Sequence, residues 1–331
     1  MQFFDAESTR AALPFDRLIS ALRERFAGGC EVPARHVHEI LSPIGEAGMD
    51  AAGRRITSLI MPAWTAGRYY GVKIVNIAPG NAKRGLPGLH STYLLFDGRT
   101  GVPLAQIDGD EITARRTAGA SALAASYTAR EDSEHLLLVG AGRVASLLPE
   151  AYRAVRKIKR VSVWARRASE AQALATTLQQ QGFEAAPVSH LSVACGEADI
   201  VSCATLSNEA LVRGAWLQPG SHLDLIGSFT PSMREADDAC FQEARLFVDT
   251  EEALQKSGDL LIPIQHGVLR ADDVRGTLTT LSKGVATGRK NNVERTVFKS
   301  VGTALEDLAA AVLVYETGTP SAGKRAPIER L

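Results

Sequence analysis

The sequence has few cysteines, no cysteine pairs and no excess of charge of either sign. Its 331 residues include four cysteines, none of them in a Cys-x-x-Cys arrangement. This spacing argues against a disulfide framework and against a zinc site, and it favours a reduced, cytoplasmic protein without a bound metal. Lysine plus arginine and aspartate plus glutamate each total 37, so the charge balance gives no sign of a nucleic-acid or membrane-surface partner.

Segments that would carry the chain into a membrane are also missing. No apolar run approaches the roughly 18 residues of a spanning helix. The N-terminus, MQFFDAESTR, has acidic residues where a secretory signal peptide has a basic and then an apolar stretch. The chain does have 45% hydrophobic residues, which is enough for a core, and its length predicts one large or two ordinary domains.

The most informative stretch is HLLLVGAGRVA, at residues 135–145. A short apolar strand runs into a Gly-x-Gly-x-x-Ala turn, and a helical segment follows. In such a turn Gly140 allows the tight bend, Gly142 lets a pyrophosphate approach the backbone, and Ala145 allows close packing of helix and strand. The helix N-terminus then offers N–H groups to the phosphates. The stretch therefore predicts a dinucleotide-binding site, although an ordinary glycine turn is the alternative.

The two parts of the chain differ in their pattern of elements. Before residue 135, short strands are separated by Gly- and Pro-rich turns, which is typical of an antiparallel sheet. The strands are predicted over 32–40, 55–61, 70–77, 91–96 and 104–108. From residue 135 onward, strands alternate with helices, which indicates a doubly wound parallel sheet. An alanine-rich helix is predicted over 113–129 and an apolar helix over 300–315.

The residues after the second strand of the parallel part predict the cofactor. NAD-binding domains carry an acidic residue there that binds the ribose 2′-hydroxyl. This chain has Ala165, followed by Arg166 and Arg167. Arginine makes bidentate, charge-assisted bonds to phosphate, so we expect NADPH, with NADH less favoured. The alternative is that both arginines are solvated loop charges.

Several separate motifs resemble the ornithine cyclodeaminase/μ-crystallin family. They are DGDEITARRTA at 108–118, STYLLFD at 91–97, GAGRVA at 140–145, TVFKSVG at 296–302 and ALED at 304–307. The resemblance covers roughly residues 30 to 315 in consistent order. It implies an α/β fold in which a Rossmann-type doubly wound sheet, residues 117–305, is inserted in a second α+β domain. That second domain, residues 1–116 plus 306–331, would bind the substrate and form a homodimer.

The same resemblance implies a set of substrate-binding residues. Arg35, Lys73 and Arg116 match the positions that bind the substrate carboxylate in the family. Thr92 matches a position near the substrate and the nicotinamide. These cations suit a carboxylate ligand, because each charge-assisted hydrogen bond contributes roughly 1.5–3 kcal/mol.

The chain departs from the cyclodeaminase pattern in the loop IGSFTP, at 226–231. Cyclodeaminases carry a proton-handling aspartate at the position of Phe229, and phenylalanine can neither accept nor donate a proton. Asp224 precedes the loop, but we do not expect its side chain to face the ligand. The loop resembles instead the branch that reduces cyclic ketimines, in which Phe229 would contact the ring methylenes and Ser228 would bond substrate or water. An ordinary packing role for Phe229 is the alternative.

We therefore predict an NADPH-dependent reductase of a small cyclic imino acid. It would convert Δ1-pyrroline-2-carboxylate to L-proline and Δ1-piperideine-2-carboxylate to L-pipecolate. The predicted cofactor contacts are Gly140, Gly142, Arg143, Val144, Ala145, Arg166, Arg167, Cys203, Thr205, Ile226 and Lys299. The alternatives are an ornithine cyclodeaminase, an alanine-type dehydrogenase, an opine or N-alkyl amino-acid reductase, and a non-catalytic NADPH-binding protein of the μ-crystallin type.

Overall fold

The computed structural model describes residues 1–41 and 55–321. Contacts among these residues divide them into two compact units. The first unit is formed by residues 1–14, 29–41, 55–113 and 304–321, and the second by residues 15–28 and 114–303. Helix α3 (Gly109–Thr128) begins in the first unit and continues in the second.

The first unit is built on a sheet in which the described residues supply six strands. The strands are β1 (Gln2–Phe4), β2 (His36–Leu41), β3 (Arg55–Thr65), β4 (Tyr69–Ile77), β5 (Leu89–Asp97) and β6 (Pro103–Asp108). Their order is β1-β6-β5-β4-β3-β2, and every pair is antiparallel except β1 with β6. The unit also contains helices α1 (Ala6–Ala12) and α10 (Ala304–Thr317). Helix α10 packs on β3, β4 and β5.

The antiparallel pattern expected for this region is confirmed, with two strand boundaries wrong. Strand β3 continues to Thr65, beyond the predicted end at Met61. Strand β2 begins at His36, not at Val32. Pro33 has no N–H group for a strand ladder, so regular pairing starts only after it. The apolar helix predicted over 300–315 also begins later, at Ala304, since Gly302 has a φ of +77° that a helix does not accommodate.

The second unit contains a parallel sheet of eight strands within the described residues. They are β7 (His135–Val139), β8 (Arg160–Trp164), β9 (Glu184–Pro187), β10 (Ile200–Cys203), β11 (His222–Leu225), β12 (Ala244–Val248), β13 (Val274–Thr277) and β14 (Arg295–Lys299). The order is β13-β12-β14-β11-β10-β7-β8-β9. The order reverses between β7 and β10, and ligands bind at such a point outside the carboxyl ends of the strands. The predicted Rossmann-type parallel sheet is confirmed.

Helices complete the second unit around the sheet. They are α2 (Phe15–Gly28), α4 (Arg143–Arg153), α5 (Ala168–Gln180), α6 (Leu191–Glu197), α7 (Ala253–Lys256), α8 (Gly258–Gln265) and α9 (Leu278–Ser282). Strand β7 is wholly buried, as its sequence HLLLV predicts. In the part of the chain that the structure describes, no helix has the length and apolar character to cross a membrane. The same residues bring together no group of three or more His, Cys, Asp or Glu side chains suited to a metal.

Candidate active site

The glycine turn joins β7 to α4 at the carboxyl edge of the parallel sheet. Gly140 has a φ of +118°, and a Cβ on it would lie 2.6 Å from the carbonyl oxygen of Ala204, which follows β10. Gly142 is the N-cap of α4; it has no side-chain cap bond, and no atom lies within 4 Å of a Cβ placed on it. The turn therefore keeps two strand ends close together and leaves the helix N-terminus open, which is the arrangement a pyrophosphate needs.

The first turn of α4 continues this surface. Ala145 is buried against the sheet, while Arg143 is exposed and Val144 is half-buried. The methyl group of Ala145 fits where a larger side chain would push the helix away from β7. These positions agree with the phosphate-binding role predicted for the turn.

The loop after β8 carries the two arginines predicted to bind a 2′-phosphate. Both are exposed, and Ala165 before them is half-buried. Arg167 forms an ion pair with Glu170 in the first turn of α5. The side chain of Arg166 makes no hydrogen bond or ion pair with the described residues. Of the two, Arg166 is therefore the better placed to bind an anion.

The predicted cofactor contacts at the carboxyl ends of β10 and β11 are buried or half-buried. Cys203 is fully buried in the core, and burial raises the pKa of its thiol well above the usual value. Ile226 is also buried, at 9% exposure, whereas Thr205 is half-buried. Cys203 can therefore border a cofactor only through its backbone in this arrangement.

Ser228 and Phe229 are adjacent but face different surroundings. The Ser228 hydroxyl donates to the carbonyl oxygen of Met233 (2.5 Å), accepts from the N–H of Asp259 (3.2 Å) and lies 3.0 Å from the Ser257 hydroxyl. These contacts occupy the hydroxyl within the loop. Phe229 is 43% exposed, so its ring is not part of the buried core.

Asp224, on β11, is not available to replace the missing proton acceptor. Its carboxylate is fully buried and accepts hydrogen bonds from Tyr152 (2.9 Å), Ser202 (2.5 Å) and Ser121 (3.1 Å). Burial raises the pKa of Asp224 to about 6, against the lowering effect of these three hydroxyls. The expectation that this side chain does not face the ligand agrees with these contacts.

Lys299, predicted as a cofactor neighbour, is fully buried at the end of β14. Its Nζ lies 3.4 Å from a carboxylate oxygen of Asp259, which is also fully buried. In this arrangement the ammonium group is a buried counter-ion. A lysine at the end of an apolar run looks solvent-exposed in the sequence, because the sequence does not show which strands flank it.

Glu235 was missed as a functional candidate, although it belongs to the MREAD segment that follows the IGSFTP loop. Its carboxylate is fully buried and accepts from the Thr205 N–H (2.7 Å), the Thr205 hydroxyl (2.8 Å) and the Gly227 N–H (2.6 Å). In the sequence it looks like one more surface charge. The only available signal was its position shortly after the glycine of a strand-end loop.

In the first unit, Lys73 lies on β4 and is buried, with 1% exposure. Its Nζ donates to a carboxylate oxygen of Asp307 in α10, at 2.7 Å, and Asp307 is fully buried. The strand register places Lys73 opposite Tyr93 and places Ile74 opposite Thr92. Since neighbouring residues on a strand point to opposite faces, Lys73 and Thr92 lie on different faces of the sheet. Thr92 is half-buried there, so the sheet does not bring these two predicted residues together.

The two arginines predicted to bind substrate lie in different units. Arg35 is half-buried in the segment before β2. Arg116, in the part of α3 that belongs to the second unit, is buried at 7% exposure. A Cβ on Gly302 would lie 2.6 Å from Nη1 of Arg116. The N–H groups of Val301 and Gly302 donate to the buried carboxylate of Asp249, at 2.8 and 2.6 Å. The Arg116 guanidinium therefore lies close against the backbone at Gly302.

Comparison with known proteins identifies the family. The model of the ornithine cyclodeaminase/mu-crystallin family matches residues 48–321. A Delta(1)-pyrroline-2-carboxylate reductase of Paracoccus denitrificans is 46% identical over 77% of this chain and 81% of its own length.

Two solved structures have the same fold. One is the Thermococcus litoralis Delta(1)-pyrroline-2-carboxylate reductase in complex with NADH and L-proline, with a TM-score of 0.88, 32% identity and coverage of 97% of this chain and 100% of that one. The other is an archaeal alanine dehydrogenase dimer with bound NAD, with a TM-score of 0.84, 28% identity and coverage of 96% and 95%. The chain therefore belongs to the ornithine cyclodeaminase/mu-crystallin family.

Proposed function

We propose that this protein uses NADPH to reduce cyclic imino acids, converting Δ1-pyrroline-2-carboxylate to L-proline and Δ1-piperideine-2-carboxylate to L-pipecolate. The observation that carries the proposal is Phe229, an exposed aromatic side chain in the loop where a cyclodeaminase has its proton-handling aspartate. An apolar side chain suits the methylene groups of a small ring, and it removes the general base that amine loss requires.

The general type of reaction does not depend on the ring size of the substrate or on the choice between NADPH and NADH. The protein is an oxidoreductase that acts on the C=N bond of an imine with a nicotinamide cofactor, as its reductase relatives are. When it is bound, the reduced nicotinamide supplies the hydride. The residues of this chain have the remaining tasks of orienting the substrate and keeping the site dry.

The cofactor fits the residues at the carboxyl edge of the parallel sheet. The open N-terminus of α4 beyond Gly142 suits a pyrophosphate, and the Gly140 turn suits the close approach of β7 and β10. The Thermococcus relative holds NADH, so our preference for NADPH rests on this chain's own residues. Ala165 removes the acidic group that would repel a 2′-phosphate, and the exposed Arg166 offers it a cation.

For the substrate, we propose that Arg35, Lys73 and Arg116 bind the carboxylate. Asp307 holds the Lys73 ammonium group by a 2.7 Å bond, and the Arg116 guanidinium lies close against the backbone at Gly302. Fixing these cations before the substrate arrives reduces the entropy lost on binding. A protonated imine needs no base for hydride transfer, so a site with cations and an apolar side chain is sufficient.

We further propose that two domains divide these tasks, with bounds that differ from those of the two units chiefly at residues 15–28 and at Arg116. Residues 1–116 and 306–331 would form the substrate-binding and dimerisation domain, and residues 117–305 the cofactor-binding domain. A homodimer is expected, and sedimentation equilibrium of the purified chain would measure its mass directly.

A panel assay tests the proposed function. The protein is mixed with NADPH or NADH and each of the two cyclic imino acids, and the absorbance of the reduced nicotinamide is followed. We expect fast consumption with NADPH and a lower kcat/KM with NADH. Ammonia release from ornithine would instead indicate a cyclodeaminase. Cofactor binding without turnover of any imino acid would indicate a binding protein of the μ-crystallin type.

A further inference from the structure

Two loops at the edge of the parallel sheet are joined by a single buried carboxylate. Thr205 follows β10 and Gly227 follows β11, and these strands are neighbours in the sheet. One oxygen of Glu235 accepts from the N–H and the hydroxyl of Thr205, and the other oxygen accepts from the N–H of Gly227. The three distances lie between 2.6 and 2.8 Å, so both loops are tied to the same charged group.

The Thr205 and Gly227 loops also pack closely against each other. A Cβ on Gly227 would lie 1.9 Å from the carbonyl oxygen of Thr205 and 2.5 Å from Glu235. The backbone of Glu235 is fixed in turn, because Asp259 accepts from its N–H at 2.8 Å. Asp259 faces the Lys299 ammonium group at 3.4 Å. Asp259 therefore holds the backbone of Glu235, while the carboxylate of Glu235 bonds the two loops.

We infer that Glu235 is a positioning residue, whose buried carboxylate sets the spacing of the Thr205 and Gly227 loops and thereby the affinity of the protein for the nicotinamide cofactor. It does not need to touch the cofactor, because the loops that it joins border the edge where the fold binds one. The inference rests on the proposed function for its link to cofactor affinity. The joining of the loops is independent of that function.

The inference includes a dependence on pH. The groups that face Glu235 are Lys299 from β14, Asp259 from α8, and Cys203 and Thr205 from β10 and its loop. Burial raises the pKa of Glu235 to about 7, with Lys299 acting in the opposite direction. The ionised carboxylate accepts all three bonds, whereas a protonated one carries a hydrogen that competes with one donor. Cofactor affinity should therefore increase as pH rises through about 7.

The variant Glu235→Gln tests this role, since the new amide group faces one of the three donors with a donor of its own. Asp224→Asn is the matched control. It changes another fully buried carboxylate of the same unit, but one that accepts hydrogen bonds from hydroxyls of β10, α3 and α4. Two quantities are measured: amide hydrogen exchange at Thr205 and Gly227, and the dissociation constant for NADPH at several pH values.

We expect Glu235→Gln to speed exchange at both amides by about tenfold or more and to raise the dissociation constant by a similar factor. It should also remove the change in affinity near pH 7. Asp224→Asn should lower the melting temperature while leaving these amides and the affinity within about twofold of wild type. If Glu235→Gln does not fold, the wild-type protein still gives the test, because protection of both amides should increase as pH rises through about 7.

Several results would overturn the inference. Unchanged exchange at Thr205 and Gly227 in Glu235→Gln, or equal effects of the two variants, would show that Glu235 is an ordinary buried group. Faster exchange with unchanged NADPH affinity would show that the spacing of the two loops does not set cofactor affinity. If the wild-type protein bound no nicotinamide cofactor at all, the proposed function would fail as well, whatever the exchange data showed.

Discussion

Lys73 and Lys299 are both buried lysines beside a buried aspartate, but their surroundings differ. Lys73 lies within an antiparallel strand of the first unit and donates a 2.7 Å bond to Asp307. Lys299 ends a parallel strand of the second unit and lies 3.4 Å from Asp259. It also acts on the carboxyl pKa values of Glu235 and Asp249, whose oxygens hold backbone loops.

The two buried lysines differ in the groups that their positive charge stabilises. In the first unit Asp307 accepts a hydrogen bond directly from the Lys73 ammonium group, which suits a residue proposed to bind substrate. In the second unit Lys299 opposes the rise that burial causes in the pKa of Glu235 and Asp249, and these carboxylates accept hydrogen bonds from backbone N–H groups of the loops. This arrangement suits a binding site that is formed by backbone N–H groups. Substitutions in the two regions should therefore affect different ligands.

The largest effect is expected for Lys73→Met. It leaves Asp307 buried beside an apolar chain, so the free energy of unfolding should fall by about 3–5 kcal/mol. Adding Asp307→Asn should recover much of that loss, as chemical denaturation would show. The double variant should still have a severely reduced kcat/KM for the imino acid, because the cation is missing. Recovery of activity together with stability would remove Lys73 from the proposed site.

Gly140→Ala should weaken NADPH binding on the order of 100-fold, through backbone strain and the contact with Ala204. Gly182→Ala is the control, because Gly182 also has a positive φ, of +82°, but no atom lies within 4 Å of its added Cβ. Fluorescence titration of both variants measures the difference. Equal dissociation constants for the two would mean that the turn after β7 does not shape the cofactor site.

Arg116→Ala should raise KM for the imino acid about 10- to 100-fold, the effect of losing a charge-assisted bond, with NADPH affinity close to normal. The neighbouring Arg115 is similarly buried but stacks on Phe15, 4.3 Å from the ring centroid. Steady-state kinetics of Arg115→Ala should show little change in KM. An equal loss of substrate and cofactor binding in Arg116→Ala would contradict its assignment to the substrate.

The smallest effect is expected for Arg166→Ala, which should raise the dissociation constant for NADPH about tenfold and leave that for NADH unchanged. Arg167→Ala should change NADPH binding less, since Arg167 is already paired with Glu170. Calorimetric titration with both cofactors separates these effects. The same weakening for NADH would show that Arg166 does not bind a 2′-phosphate.

Local sequence patterns were sufficient to indicate a parallel sheet and its glycine turn, although β13 and β14 were not predicted as strands. The run HLLLV followed by Gly140 and Gly142 combines a buried strand, a bend and a helix start within a few residues, and each has a local cause. The position of β14 between β11 and β12 was not predictable, because neighbours in a parallel sheet are separated by long crossovers.

Contacts distant in sequence account for what was missed in the candidate site. The partner of Lys73, Asp307, is 234 residues further along the chain. Thr92 matches the family motif, but only the strand register shows that it faces away from Lys73. Glu235 gave no signal beyond its position after a strand-end loop, because a buried carboxylate is recognised by the N–H groups around it and these belong to other loops.

The most direct test of the central claim uses NADPH labelled with deuterium at the transferred position of the nicotinamide. The protein is supplied with Δ1-pyrroline-2-carboxylate, and the product is analysed by mass spectrometry and chiral chromatography. We predict L-proline that carries one deuterium at its α-carbon, formed in step with NADPH consumption. Unlabelled proline, or no consumption with either cyclic imino acid, would contradict the account.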